Sequence, residues 1–138
     1  MVNLMERYSR IQSAAFGSTV LPLPMSVRLS RRADPMTAGG DNDAFATAVQ
    51  LGRPTIAAEV RIRGIAAAEG LSLGQQEALT INVAAASGGT GRTITLAGAV
   101  LTSVDVEYEQ AAPAVAILKF VAQAADGATD PFAAEDSQ

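Results

Sequence analysis

The sequence contains no cysteine, no histidine and no tryptophan, and aromatic residues make up only 4% of it. Without cysteine there can be no disulfide, thiolate metal ligand or cysteine nucleophile. Without histidine the chain lacks the side chain that most often transfers protons near neutral pH and most often binds transition metals. Because most enzyme mechanisms depend on these groups, we predict that the protein is not an enzyme and holds no cofactor or metal.

The apolar content of the chain is sufficient for one folded domain. Apolar residues make up 49% and charged residues 17% of the 138 residues, which excludes the composition of a disordered chain. Alanine occurs 28 times, however, and alanine buries little surface. Because burial stabilises a fold by roughly 25 cal/mol per Å² of apolar area, we expect a thin core that gains stability from self-association.

Charge is distributed unevenly along the chain. The net charge is -4, but residues 1–63 carry eight arginines against five acids (+3), whereas residues 64–138 carry Arg92 and Lys119 against nine acids (-7). The acidic total argues against binding of a phosphate backbone as the main task. If the strand order keeps the two halves apart, the domain is a dipole that can stack head to tail.

Neither a membrane span nor a signal peptide is expected. No apolar run reaches the roughly 18 residues of a membrane span. Glu6 and Arg7 stand where a signal peptide has its apolar stretch. We therefore expect a chain without a signal peptide that stays in the compartment where it is made.

Alternating apolar and polar residues predict short strands and little helix. The clearest strands are residues 25–30, 55–64, 79–83 with 92–96 as a hairpin, 100–108 and 114–122. Over residues 100–108 the alternation assigns Val100, Thr102, Val104, Val106 and Tyr108 to one face. Residues 65–73 predict one or two helical turns, and Gly98 is a candidate bulge or bend. The prediction is an all-β fold, a small sandwich or barrel of about six to eight mostly antiparallel strands with one short helix.

The predicted β domain covers residues 25–124 and has extended segments. Residues 1–24 are compatible with a short helix, an edge hairpin or an extended arm, of which we prefer the arm. Residues 31–43 are a long loop with almost nothing to bury, and such loops are often functional. Residues 125–138 form an acidic tail suited to docking onto a neighbouring subunit.

Each motif that suggests chemistry also has a simpler structural explanation. The glycine-rich segment 88–92 lacks the Lys-Ser/Thr ending of a phosphate loop and lies between strands, so we interpret it as a hairpin turn. Asp34, Asp41 and Asp43 are candidate ligands of a cation, since Asp41 and Asp43 flank Asn42 as in a fragment of a calcium loop. The glycine and the glutamate of such a loop are missing, which favours a solvated loop. Asp105, Glu107 and Glu109 are carboxylates without an aromatic sugar platform, so an acidic outer face is favoured over glycoside hydrolysis.

The arginines of the first half form a candidate basic patch. They are Arg28, Arg31, Arg32, Arg53, Arg61 and Arg63. The interleaved aromatics of single-strand nucleic-acid binders are absent. We therefore predict that these arginines pair with acidic residues of a neighbouring subunit.

The second half of the chain is similar to the closing strands of phage tail-tube-like proteins. The similar pattern consists of residues 98–110, a short turn, residues 116–122 and Asp126-Gly127. This resemblance mainly covers residues 92–127. It implies a small β-barrel or sandwich that assembles as hexameric rings stacked into a tube for DNA or effector passage. Residues 31–43 would match the family's loop to the next ring, and residues 1–24 or 125–138 would be inter-subunit arms. The family's negatively charged lumen agrees with the acidic face. A baseplate, neck or tube-end component fits equally well.

Together with this resemblance, the sequence predicts a non-enzymatic structural subunit of a phage tail or related injection particle. We expect it to be made in the bacterial cytoplasm without a signal peptide and to be located in the virion or assembled particle. Its partners would be copies of itself and other virion proteins, with passage of DNA but no specific nucleic-acid binding. The alternative is a monomeric β-sandwich module that binds a ligand or decorates a capsid, and an enzyme using only carboxylates comes last. The candidate inter-subunit residues are Arg31, Arg32, Asp34, Asp41, Asp43, Arg61, Arg63, Asp105, Glu107 and Glu109.

Overall fold

The structure, a computed structural model, describes residues 8–40, 44–45, 48–85, 91–124 and 130–137. Its elements follow in chain order as β1 (Tyr8–Phe16), β2 (Thr19–Val20), β3 (Pro24–Arg32), β4 (Pro35–Ala38), β5 (Ala48–Leu51), β6 (Thr55–Ile62), α1 (Ile65–Glu69), β7 (Gln76–Ala85), β8 (Gly91–Glu107), β9 (Val115–Ala122) and β10 (Phe132–Ser137). The predicted all-β class with one short helix is confirmed. Eight strands form one antiparallel sheet, which is not closed into a barrel.

The long strand β8 connects two sections of the sheet. The strand order is β2-β1-β7-β8-β9-β6-β3, and β10 pairs with β8 outside this path. Residues 91–96 of β8 pair with β10, whereas residues 99–107 pair with β9. The change of partner falls at Gly98, whose carbonyl accepts a 2.7 Å hydrogen bond from the Gln123 amide. Gly98, the candidate bend, therefore lies where one edge of β8 passes from one partner strand to the other.

The core lies between the two sections, which gives the fold its sandwich-like character. Phe16 of β1 and Phe120 of β9 are both fully buried, and their ring centroids are 4.9 Å apart. The other buried core residues are aliphatic, and Ala14, Ala58, Ala68, Ala99 and Ala116 are among them. Among the described residues, no polar or charged side chain is buried. The two phenylalanines are thus the largest side chains of the described core, whose other positions are five alanines and ten leucine, isoleucine or valine residues.

The arm predicted for residues 1–24 is wrong for its described part. Tyr8–Phe16 pairs with β7 along its length, and Phe16 and Thr19 begin an edge hairpin with β2. Leu21, just after this hairpin, is buried at 1% exposure. The alternating apolar residues of this segment are therefore part of the domain's own core, because they complete the sheet on the far side of β7. For the described part of residues 1–24, the alternative of a short helix is also excluded, and the alternative of an edge hairpin is confirmed.

The acidic tail also packs on its own domain where it is described. Phe132–Ser137 pairs antiparallel with residues 91–96 of β8. The guanidinium of Arg31 lies 4.8 Å from the centroid of the Phe132 ring, and it is 3.5 Å from the Asp130 carboxylate. Residues 130–137 therefore dock onto their own domain rather than onto a neighbouring subunit, since this segment fills the edge that β9 leaves open on β8.

The predicted loop over residues 31–43 is largely a strand pair. Arg31 and Arg32 end β3, and β4 pairs with β5 as a separate two-stranded ribbon. The amide of Gly52 donates a 2.8 Å hydrogen bond to the Asp34 carbonyl at the base of this ribbon. Asp41 and Asp43 lie outside the described residues.

The strands predicted for the second half of the chain are confirmed, but within β8 the side chains do not alternate between the two faces as predicted. The predicted hairpin of residues 79–83 with 92–96 is present, and so is the short helix within residues 65–73. In β8 the pairing with β9 shifts between Leu101 and Ser103. Because of this irregularity Leu101 is buried and Val104 and Val106 also pack on the core, so the strict alternation predicted for residues 100–108 is wrong.

Candidate functional site

The section β8-β9-β6-β3 has two strand edges with which no described strand pairs. Residues 102–107 of β8 pair only with β9, because the pairing of β8 with β7 ends at Val100. On the other side, the described pairing of β3 is with β6 alone. Unpaired strand edges offer rows of N–H and C=O groups for pairing with another chain. These two edges, which we call the β3 edge and the β8 edge, bound the section.

The exposed face of this section, the outer face, has a charge gradient from β3 to β8. One row across the sheet is Arg28, Glu59, Lys119 and Ser103, and the next is Ser26, Arg61, Ile117 and Asp105. Glu107, which pairs with Val115, lies in the next row on the β8 side. The β3 and β6 side is therefore mainly basic and the β8 side acidic. The charge separation expected from the sequence thus exists across these four strands.

Two of the predicted inter-subunit arginines have partners in their own chain. Arg61 lies 3.7 Å from the Glu59 carboxylate on the same strand, and Arg31 contacts Asp130. The Arg31–Asp130 pair is well exposed and the Arg61–Glu59 pair is partly exposed, and pairs at the surface contribute roughly 0–1 kcal/mol to stability. Arg32 and Arg63 are exposed at opposite ends of the section, since Arg32 pairs with Thr55 and Arg63 follows Ile62.

A cleft of about 960 Å³ lies at the end of the section where the β4–β5 ribbon begins. Arg31, Arg32 and Arg53 line it together with Asp130, and Thr55 and Gln123 add neutral polar groups. We call it the arginine cleft. With three guanidinium groups and one carboxylate among its described lining residues, it attracts anionic groups.

The opposite end of the same four strands has the predicted acidic residues, and we call it the acidic end. Asp105 and Glu107 are exposed on one face of β8, and Glu109 is exposed just beyond it. The Ser103 hydroxyl donates a 3.1 Å hydrogen bond to the Asp105 carboxylate. The predicted acidic outer face is confirmed for Asp105 and Glu107, while Glu109 lies after the strand. Arg63 lies at this end as well, at the end of β6.

The β4–β5 ribbon exposes apolar side chains. Met36 is 57% exposed, Val49 63% and Leu51 64%. Leu51 and Val49 share a face with Pro35 and Thr37, their cross-strand partners. A two-stranded hairpin is at best marginally stable alone in water, so this face is suited to packing against another surface.

The candidate residues do not converge on one site. The structure brings Arg31 and Arg32 together with Arg53 at one end, and it places the acidic residues at the other end. Asp34 is exposed at the base of the ribbon, next to the cleft residue Ala33, but it does not itself line the cleft. Sequence reasoning missed Asp130 and Phe132, which contact Arg31. The single aromatic residue of the acidic tail, Phe132, was the signal that this segment packs on the domain.

The ionisable side chains of the described residues do not gather into a candidate metal centre. Within this part of the chain, no group of three acidic side chains is arranged to hold a metal ion, and the ionisable side chains are at least partly exposed. Over the same residues, no helix has the length and apolar character needed to cross a membrane. Protein-family models give no match to the sequence, and curated proteins give none either. The features of the described residues that suggest a function are therefore the two unpaired strand edges and the two charged ends of the section.

Proposed function

We propose that the protein is a non-enzymatic structural subunit that assembles edge to edge into rings, as a component of a phage tail or related injection particle. The observation that supports it best is the pair of open edges with opposite charge. The β3 edge has Arg28, and the β8 edge has Asp105. Two copies placed side by side in the same orientation bring these edges together.

Strand direction makes this contact compatible with a ring. The section has four antiparallel strands, so its two outer strands, β3 and β8, run in opposite directions. When copies with the same orientation meet, β3 of one and β8 of the next are therefore antiparallel, as throughout the sheet. A head-to-tail contact of this kind is heterologous and closes into a ring when the rotation between copies permits it.

Charge complementarity supports the same contact. Arg28 and Asp105 lie in adjacent rows of the outer face. If the rows of side chains stay in register across the contact between two copies, Arg28 of one copy is a diagonal neighbour of Asp105 of the next. The Cα atoms of two such residues are roughly 7–8 Å apart. The exposed apolar face of the β4–β5 ribbon provides further surface for neighbouring copies or other particle proteins.

Light scattering after size exclusion, followed by negative-stain imaging, tests the proposal. We expect rings of the wild-type protein. Arg28→Glu and Asp105→Arg should each raise the concentration for half-assembly about tenfold, which corresponds to about 1.4 kcal/mol, and the double variant should restore assembly. Arg10→Glu makes the same charge change on β1, outside the section, and serves as the control.

A second candidate function is a monomeric β-sandwich module that binds a ligand or decorates a capsid. The packing of β1 and β10 on the chain's own domain favours it, because these segments complete the fold without a neighbour. A monomer at high protein concentration, insensitive to both edge substitutions, would replace the ring proposal with this one.

A further inference from the structure

The arginine cleft and the acidic end lie at opposite ends of the same four strands. Arg32 and Thr55 are paired at the cleft end, whereas Val106 and Ala116 are paired near the other end. Ile62, which pairs with Ala116, is seven residue steps along β6 from Thr55. At about 3.3 Å per residue, the two ends are more than about 20 Å apart, so the charged groups cannot neutralise one another within one copy.

We infer that the arginine cleft binds the acidic end of a second copy, so that copies associate end to end along the strand direction. Glu107 and Glu109 of one copy enter the cleft of the next and meet Arg32 and Arg53. Arginine pairs with carboxylates through two parallel hydrogen bonds, and the concave cleft excludes part of the water that weakens exposed ion pairs. The inference extends the proposed function, because it gives rings a way to stack.

The charged residues on both sides of this contact are accessible to a second copy. Arg53, Glu107 and Glu109 are exposed, and the described contacts give none of them an ion-pair partner in its own chain. Arg31 is already engaged with Asp130 and Phe132, so Arg32 and Arg53 are the two arginines available to a partner. The end-to-end contact involves residues at the strand ends, and it leaves the Arg28 and Asp105 contact between strand edges undisturbed.

A cysteine crosslink tests this inference, because the natural chain has no cysteine. Thr55→Cys places a thiol in the cleft, and Gln110→Cys places one beside Glu109. The two thiols of one copy are too far apart for a disulfide, which requires Cα atoms within about 7 Å. The oxidised double variant should therefore give a ladder of multimers on a non-reducing gel, whereas each single variant can give a dimer at most.

Charge reversal makes the test specific. Adding Arg53→Glu to the cysteine pair should reduce the ladder at least tenfold, and adding Glu109→Arg to that variant should restore it. Absence of a ladder, or a ladder unchanged by Arg53→Glu, would overturn the inference even if rings form. A charge-dependent ladder without rings would support the end-to-end contact and count against the ring proposal, so the two can fail separately.

Discussion

Phe16 of β1 and Phe120 of β9 pack ring against ring at 4.9 Å with their planes tilted by 51°. The two strands belong to different sections of the sheet, so this contact joins the sections through the core. Alanine occupies many of the surrounding buried positions. The contact between the sections is therefore made by the two largest side chains of the described core.

Replacement of either phenylalanine should be costly. We expect Phe120→Ala and Phe16→Ala each to lower the free energy of unfolding by about 3–5 kcal/mol, measured by urea denaturation. A double-mutant cycle should give a coupling of about 0.5–1.5 kcal/mol, and leucine variants serve if the alanine variants do not fold. Val121→Ala, at the neighbouring exposed position, is the control. A coupling near zero would contradict the role given to the pair.

Substitution of Gly98 should disrupt the point where β8 changes partner. A Cβ atom at this position would overlap the carbonyl oxygen of Gln123, so backbone has to move. We expect Gly98→Ala to lower the melting temperature and to cost about 2–3 kcal/mol of stability. Gly70→Ala is the matched control, because its Cβ would lie 3.6 Å from the nearest atom, the Ala67 carbonyl oxygen. Equal melting temperatures for the two variants would show that the close approach is unimportant.

Truncation of Phe132 should loosen β10 without unfolding the domain. The ring packs against the core and under the Arg31 guanidinium. In Phe132→Ala we expect amide hydrogens of residues 91–96 and 132–137 to exchange about tenfold faster, while β6 and β9 keep their protection. Hydrogen exchange read by mass spectrometry measures both regions, and Ala133→Ser at an exposed position is the control. Unchanged exchange in β10 would mean that backbone pairing alone holds it.

Much of the sheet could be predicted because its signal is local. The half-exposed strand β6 alternates buried Ile56, Ala58, Val60 and Ile62 with more exposed residues, and its boundaries were nearly correct. The strand predicted at residues 114–122 is β9, and it lies between β8 and β6 in the interior of the sheet. The candidate site was less predictable, since Arg53 and Asp130 reach the same cleft from distant parts of the chain.

The composition and order of residues determined the all-β class, the short helix and the uneven distribution of charge. The tertiary structure decided which segments complete the domain: β1 and β10 were mistaken for arms because short, polar or interrupted strands have a weak local signal. Their pairing depends on edges supplied by β7 and β8, residues far away in the sequence. The same long-range pairing places basic and acidic residues at opposite ends of four strands, a separation that no local pattern contains.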